Sequence, residues 1–111
     1  MKLYTQYLKE RNNIETIELE HCFLTYKKVD ATTWYVVDVF VEKDFRLLGL
    51  TQILSNLIET AAKENGVTRL LGSIDITANG VTESMAFLLA HGYRFSHANG
   101  NGLYFLKLIG E

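Results

Sequence analysis

The segment from residue 33 to residue 76 constrains the fold of this chain more than any other part of the sequence. Residues 33–41 are rich in β-branched and aromatic side chains, which predicts a strand. A charged loop at residues 42–44 leads through Gly49 to apolar residues at helical spacing over residues 50–65. A further strand is predicted at residues 69–76. Because a helix separates the two strands, we expect a parallel, right-handed β-α-β unit.

The remaining elements are predicted from their periodicity and from turn residues. Residues 3–11 favour a short helix, and residues 14–28 favour strand, divided in two near Glu20 and His21. A second amphipathic helix contains residues 81–89, opened by Thr82 or Asn79 and closed by Gly92. Residues 93–97 and 103–109 predict two strands, joined by a hairpin turn at residues 99–102. The predicted class is α/β (α+β), with one mixed, mostly antiparallel sheet flanked by helices in a single domain over residues 1–111.

Composition excludes several classes of protein. Apolar residues make up 48% of the 111 residues and charged residues 22%, which is typical of a globular chain. The formal net charge of −2 argues against nucleic-acid binding through bulk positive charge. No apolar run approaches the length that spans a bilayer, so a cytoplasmic protein without a membrane partner is expected.

Cysteine and histidine usage limits the chemistry further. Cys22 is the one cysteine of the sequence, which excludes an intrachain disulfide and a metal site of the paired-cysteine type. We expect Cys22 to be a buried or half-buried strand residue. The three histidines, His21, His91 and His97, are too scattered to suggest a metal site.

The turn between the predicted strand and the helix at residue 50 has the features of an anion site. A glycine-containing turn before a helix presents backbone N–H groups that have no partner within the helix. The positive end of the helix dipole lies at the same point and favours phosphate. We therefore expect a phosphorylated cofactor to bind at the turn that contains Gly49.

Three motifs in order resemble the Gcn5-related N-acetyltransferase (GNAT) family. Residues 46–51, Arg-Leu-Leu-Gly-Leu-Thr, are similar to that family's cofactor motif of Arg or Gln, two residues, Gly, one residue, and Gly or Ala. Residues 41–46 resemble its Val-x-Pro-x-Tyr-Arg lead-in, and Gly92 with Tyr93 resembles its second signature. The resemblance covers residues 29–109. Residues 7–11 are also similar to small acetyltransferase-like proteins of phages.

The resemblance implies an acyl-CoA N-acyltransferase fold and acetyl-CoA as the co-substrate. The backbone of residues 47–51 would hold the pyrophosphate, and that of residues 39–41 would pair with the pantetheine arm like an added strand. The second strand, at residues 70–76, would splay from the first to make room for the thioester. The implied cofactor-binding residues are Val39, Phe40, Val41, Arg46, Leu47, Leu48, Gly49, Leu50, Thr51, Asn79 and Ser84.

The catalytic residues are less clearly marked. Asp38 lies where the acyl group is expected and is the candidate base that takes the ammonium proton, although it also fits a polar residue on the outward strand face. Glu20 and His21 could reach the same place from adjacent strands. Tyr93 and Tyr104 are candidate acids, although tyrosines at such positions are more often core or sheet aromatics.

The sequence also departs from the family pattern. Thr51 replaces a small residue, leucines fill positions 47 and 48, and Leu88 stands where the family often has a general-acid tyrosine. The usual N-terminal strand and two acceptor-binding helices do not fit before Val36, so the fold is expected to be N-terminally shortened.

Three hypotheses follow from these observations. The first is an N-acetyltransferase in which an amine attacks acetyl-CoA directly. The second is a catalytically inactive binding or structural protein of the same fold, of phage origin, and the third is a small α/β domain without a CoA site. The expected partners are acetyl-CoA and an unidentified amine, with no nucleic acid, and exposed edge strands favour a homodimer.

Overall fold

The computed structural model describes residues 2–110. These residues form the elements α1 (Lys2–Asn12), β1 (Ile14–Glu18), β2 (Cys22–Asp30), β3 (Thr33–Val41), α2 (Leu50–Glu64), β4 (Arg69–Asp75), α3 (Val81–Ala90), β5 (Arg94–Asn99) and β6 (Gly102–Leu108). A short 3-10 turn, Lys43–Phe45, lies between β3 and α2. The order of helices and strands is the one predicted from the sequence, including the division of the first strand region into β1 and β2.

The strands form one sheet in the order β1-β2-β3-β4-β6-β5. Neighbouring strands are antiparallel except for β3 and β4, which are parallel and are connected through α2. This confirms the predicted mixed, mostly antiparallel sheet. The parallel pairing is short, because it covers Thr33 to Tyr35 of β3 and ends opposite Leu71 of β4. Both strands continue past this point without pairing to each other, as the predicted splay requires.

A β-bulge bends β3 at the level where it leaves β4. Thr25 of β2 lies opposite Asp38, whereas the next residue, Tyr26, lies opposite Val36. Val37 is therefore an extra residue on β3. A bulge of this kind bends the strand and increases its local twist, so β3 turns away from β4 immediately beyond their last pair.

The core lies between one face of the sheet and the helices α2 and α3. Leu54, Ile58 and Ala62 of α2 are fully buried at the helical spacing that the sequence predicted. Strand residues such as Leu24 and Leu70 are equally buried and belong to the same cluster. Burial of these side chains is the main source of stability for the β3-α2-β4 unit.

The ends of the two core helices depend on glycines with positive φ. Helix α2 ends at Asn65, and Gly66 follows with φ +76°, which confirms the predicted C-terminal cap. Helix α3 is preceded by Gly80 in the left-handed conformation and has no side-chain cap, so the predicted capping by Thr82 or Asn79 was wrong. Glycine reaches φ +79° at this position without steric cost.

The periphery of the sheet is open at two strands. β1 and β5 are the edge strands, and all six residues of β5 are exposed. The homodimer expected from such edges stays a prediction. Within residues 2–110, none of the helices combines the length and the apolar character that crossing a membrane requires.

Gly72 of β4 is a point of close approach between the sheet and α3. A Cβ atom at Gly72 would lie 2.7 Å from Cδ2 of Leu88, which is shorter than any ordinary contact. We expect Gly72→Ala to lower the free energy of unfolding by about 1–3 kcal/mol through overpacking. Urea denaturation measures this, and Leu88→Ala is expected to cost less in the Gly72→Ala background than alone. Equal costs in both backgrounds would contradict this contact.

Candidate active site

The divergence of β3 and β4 opens a cleft of about 410 Å3, a volume typical of small-ligand sites. It is bordered by β3, β4, the start of α2 and the first turns of α3. The residues that line it are Val36, Val37, Asp38, Val39, Phe40, Val41, Arg46, Thr51, Gly72, Ser73, Asn79, Gly80, Glu83, Ser84, Phe87 and Leu88. The cleft is therefore built by the parts of the sequence that carry the predicted site.

Most of the predicted site residues meet at this cleft. Those that line it are Asp38, Val39, Phe40, Val41, Arg46, Thr51, Asn79 and Ser84. Those that do not are Leu47, Leu48, Gly49 and Leu50. The second group belongs to the turn before α2 and can contribute only through its backbone, which is the role that the sequence assigned to it.

The turn before α2 has a backbone shape suited to an anion. Leu47 has φ +64° and Gly49 has φ +83°, while Leu48 between them has no positive φ. Alternation of this kind turns successive N–H groups toward one point, an arrangement known as a nest. Gly49 is also the N-cap of α2 and makes no side-chain cap, so the first N–H groups of the helix have no partner within the helix. The side chains of Leu47 and Leu48 point into solvent.

Arg46 fixes the start of this turn. Its Nε donates a hydrogen bond of 3.0 Å to the carbonyl oxygen of Val41, the last residue of β3. The guanidinium group therefore ties the turn to the strand while it also lines the cleft. One backbone acceptor among residues 39–41 is thus already engaged within the chain.

His21 holds the same turn from the β1–β2 connection. Its ring stacks on Phe45 with centroids 3.5 Å apart and an angle of 6° between the planes, and its Nδ1 contacts the Glu42 carboxylate. The Glu42 N–H also donates a 2.9 Å hydrogen bond to the His21 carbonyl oxygen. Glu20 lies 3.6 Å from the other ring nitrogen. Neither Glu20 nor His21 lines the cleft. Both residues instead support the turn that precedes α2.

Asp38 is the carboxylate that lines the cleft from β3. The residue is exposed toward the cleft, yet partial burial of its carboxyl group raises its pKa above the ordinary value. Its backbone N–H donates a 3.1 Å hydrogen bond to the hydroxyl of Thr25, a buried residue of β2. This bond replaces part of the ladder that the bulge interrupts and fixes the orientation of Asp38.

A pair of hydroxyl groups spans the two strands where the cleft begins. The hydroxyl of Tyr35, the last paired residue of β3, is hydrogen-bonded to the hydroxyl of Ser73, which lies two residues beyond the last paired residue of β4. On the side of α3, Leu88 lines the cleft and touches Gly72, so an apolar side chain occupies the position where the resemblance places an acid.

The two tyrosines considered as acids lie elsewhere. Tyr93 is 2% exposed and its buried hydroxyl has no hydrogen-bond partner within residues 2–110. Burial, together with the nearby Glu59 carboxylate, raises the pKa of Tyr93 far above its ordinary range. Tyr104 stacks on His97 with centroids 4.8 Å apart. Neither tyrosine lines the cleft.

Sequence reasoning missed several lining residues. Gly72 and Ser73 could have been found, because any residue of the second strand close to its divergence from β3 must face the cleft. Glu83 lies next to Ser84 on the same side of α3. An acidic residue in the first turn of a helix is also favoured by the helix dipole, so the sequence carries no signal that distinguishes a cleft residue there.

Comparison with models of known protein families identifies one family. The acetyltransferase (GNAT) family matches residues 21–93 of the chain, which include β2, β3, the cleft turn, α2, β4 and α3. A search of curated protein sequences found no match.

Solved structures give the same result for the fold. Gcn5 of Tetrahymena matches with a TM-score of 0.77 and 13% identity, covering 98% of this chain and 76% of that one. PaiA N-acetyltransferase of Thermoplasma acidophilum, in complex with coenzyme A, gives 0.75 and 12%, covering 96% and 69%. A GNAT family acetyltransferase of Elizabethkingia anophelis with acetyl-CoA bound gives 0.68 and 17%, covering 96% and 82%. At such identities the likeness establishes the fold.

The hydrogen bond from Asp38 to Thr25 provides a test of how the bulge is held. We expect Thr25→Val to lower the free energy of unfolding by about 1–3 kcal/mol, because it leaves the partly buried Asp38 N–H without its acceptor. Thr25→Ser keeps the hydroxyl and is expected to retain most of that stability. Thermal and urea denaturation of both variants measure the difference, and equal loss in the two would contradict a role for the hydroxyl.

Proposed function

The chain belongs to the acetyltransferase (GNAT) family, and we propose that it transfers the acetyl group of acetyl-CoA to an amine by direct attack. The observation that carries this proposal is the cleft between β3 and β4, which begins beside the nest at Leu47–Gly49 and ends at Asp38 and Ser73. A phosphate-binding turn, an unpaired strand edge and a carboxylate follow one another along it. Structures of similar fold that contain coenzyme A or acetyl-CoA support the same assignment.

The proposal gives acetyl-CoA one orientation in the site, with the pyrophosphate at the start of α2 and the thioester near Asp38. Its pyrophosphate would accept hydrogen bonds from the N–H groups of residues 47–51 at the start of α2. The amides of the pantetheine arm would pair with the edge of β3 that β4 leaves open, in the manner of an added strand. Asn79 and Ser84 border the other side of that path. The thioester then lies near Asp38, Ser73 and Leu88.

The proposed reaction needs a neutral amine. Asp38 takes the proton of the ammonium group, and the amine nitrogen then forms a bond to the thioester carbon. The C–S bond breaks, its electron pair moves to sulfur, and CoA leaves as the thiolate, while the nitrogen releases its second proton to bulk water and becomes the amide. Because Leu88 has no proton to give, the proposal assigns hydrogen bonding of the thiolate to the cleft hydroxyls of Ser73 and Ser84.

A test of cofactor binding has a matched control within the chain. Gly49 and Gly66 lie just before and just after α2, both have positive φ, and a Cβ atom at either would meet no neighbour within 4 Å. Both alanine variants are therefore strained to a similar degree, by about 1–2 kcal/mol. Only Gly49→Ala disturbs the proposed phosphate site, and we expect it to weaken CoA binding about tenfold, which corresponds to about 1.4 kcal/mol.

Isothermal titration calorimetry with CoA and acetyl-CoA measures this difference. Gly66→Ala is expected to bind within twofold of the unmodified protein. Absence of binding to the unmodified protein at millimolar ligand would contradict the proposed site. Equal weakening of binding by both substitutions would contradict a phosphate position at Gly49.

Asp38 provides a test of the proposed proton transfer. We expect Asp38→Asn to lower kcat/KM for amine acetylation by roughly 100-fold or more, since a positioned base commonly contributes at least that factor. The carboxylate is the active form, so kcat/KM falls as the pH drops through the pKa of Asp38. Because burial raises that pKa, the fall begins at a higher pH than for an ordinary aspartate.

Thiol release from acetyl-CoA, followed over a range of pH, measures this profile. The acid limb is expected to disappear in Asp38→Asn, while CoA binding by calorimetry remains. An unchanged limb would contradict the assignment of the base. CoA binding without turnover on a broad panel of amines and peptides would instead support the inactive, binding member of the fold.

A further inference from the structure

The sheet face opposite α2 and α3 adjoins the reactive end of the cleft. Side chains of a strand alternate between the two faces, and Leu24 of β2 is buried in the core that lies under α2. Its neighbours Phe23 and Thr25 therefore point to the opposite face. Phe40 and Asp38 of β3 lie directly across from them and point the same way. An amine that reaches the thioester without displacing the cofactor must cross this face.

Phe23 and Phe40 form an apolar floor on the approach to Asp38. Their ring centroids are 5.7 Å apart with an angle of 33° between the planes. Phe40 is exposed and lines the cleft, so this floor is continuous with the proposed acetyl-CoA site. Aromatic faces bind the methylene groups of an amine and also attract its positive charge.

Beyond the two rings the same cross-strand row ends in a carboxylate. Glu18 of β1 lies opposite Phe23, which in turn lies opposite Phe40. Glu18 is exposed, and neither it nor Asp38 takes part in an ion pair within residues 2–110. One unpaired carboxylate, Glu18, thus ends this row, and the other, Asp38, lies two residues along β3 from Phe40 on the same face.

The surrounding charges differ between the two ends of this face. Past Glu18, the carboxylates of Glu20 and Glu42 lie on either side of His21. Lys27 lies on the same face but on the other side of Thr25 and Asp38, opposite Tyr35. A positively charged ligand held at Asp38 is therefore drawn toward Glu18 and away from Lys27.

We propose that the acceptor is a linear aliphatic amine with a second positive charge at its far end, a diamine or polyamine. The reacting amine lies at Asp38, the methylene chain crosses Phe40 and Phe23, and the distal ammonium pairs with Glu18. The α-carbons of Asp38 and Glu18 are roughly 12 Å apart, from about 4.8 Å between strands and about 3.4 Å per residue along them. This inference rests on the proposed acetyl transfer, and the bonds that form and break are those of that reaction.

The test compares two amines that differ only in the distal charge. We measure thiol release from acetyl-CoA with pentane-1,5-diamine and with n-pentylamine, which has the same chain length and one ammonium group. The expected kcat/KM for the diamine is at least tenfold higher. Glu18→Gln is expected to remove most of that preference while the kcat/KM for n-pentylamine stays within twofold. Glu64→Gln, an exposed position at the end of α2, is the matched control and leaves the preference unchanged.

The outcomes separate this inference from the function it rests on. Equal rates with the two amines, or a preference that survives in Glu18→Gln, overturn the diamine assignment while acetyl transfer stands. Turnover with other amines, and none with the diamine, has the same consequence. Binding of CoA by calorimetry with no turnover of any amine overturns the proposed function and the inference together.

Discussion

The early end of the parallel pairing between β3 and β4 is the constraint on which the rest of the site depends. Two neighbouring strands would normally satisfy each other's backbone groups along their whole length. Here pairing stops at Tyr35 and Leu71, and the bulge at Val37 turns β3 away. The backbone beyond Tyr35 is then open on one side to a ligand that can supply hydrogen bonds as an extra strand would. The hydroxyl pair of Tyr35 and Ser73 bridges the strands as they separate.

Separating two strands in the middle of a sheet requires support from other elements, and the contacts of the cleft provide it. Thr25 accepts the hydrogen bond of the displaced Asp38 N–H, and Arg46 binds the last carbonyl of β3. The stack of His21 on Phe45 fixes the turn that follows. Gly72 lets Leu88 approach the far strand closely, which keeps α3 against β4 while the strands diverge. Together these contacts hold β3, the turn before α2 and α3 in place around the open cleft.

The sequence was sufficient for the fold because its elements have strong local signals. The helical spacing of Leu54, Ile58 and Ala62 and the glycine at position 66 predict α2 and its end, and a helix between two strands predicts their parallel pairing. The sequence also predicted that the start of α2 at Gly49 presents unpaired N–H groups, whereas nothing in it indicated the positive φ of Leu47. What the sequence could not show was the partners of individual side chains. Arg46 bonds to Val41 and His21 stacks on Phe45 because of where β1–β2 and β3 meet in space, and residues 21 and 45 are far apart in the chain.

The two faces of the sheet divide the proposed chemistry in a way that follows from the alternation of strand residues. Val39 lies on the side of the core helices, whereas Asp38 and Phe40 face the opposite side, although all three belong to one run of β3. Backbone hydrogen bonds lie in the plane of the sheet, so a cofactor that pairs with the backbone of this run covers neither face of the sheet completely. The thioester can therefore sit in the gap between β3 and β4 while an amine approaches over Phe23 and Phe40. Opening the sheet at one point thus supplies the cofactor edge and the route for the acceptor together.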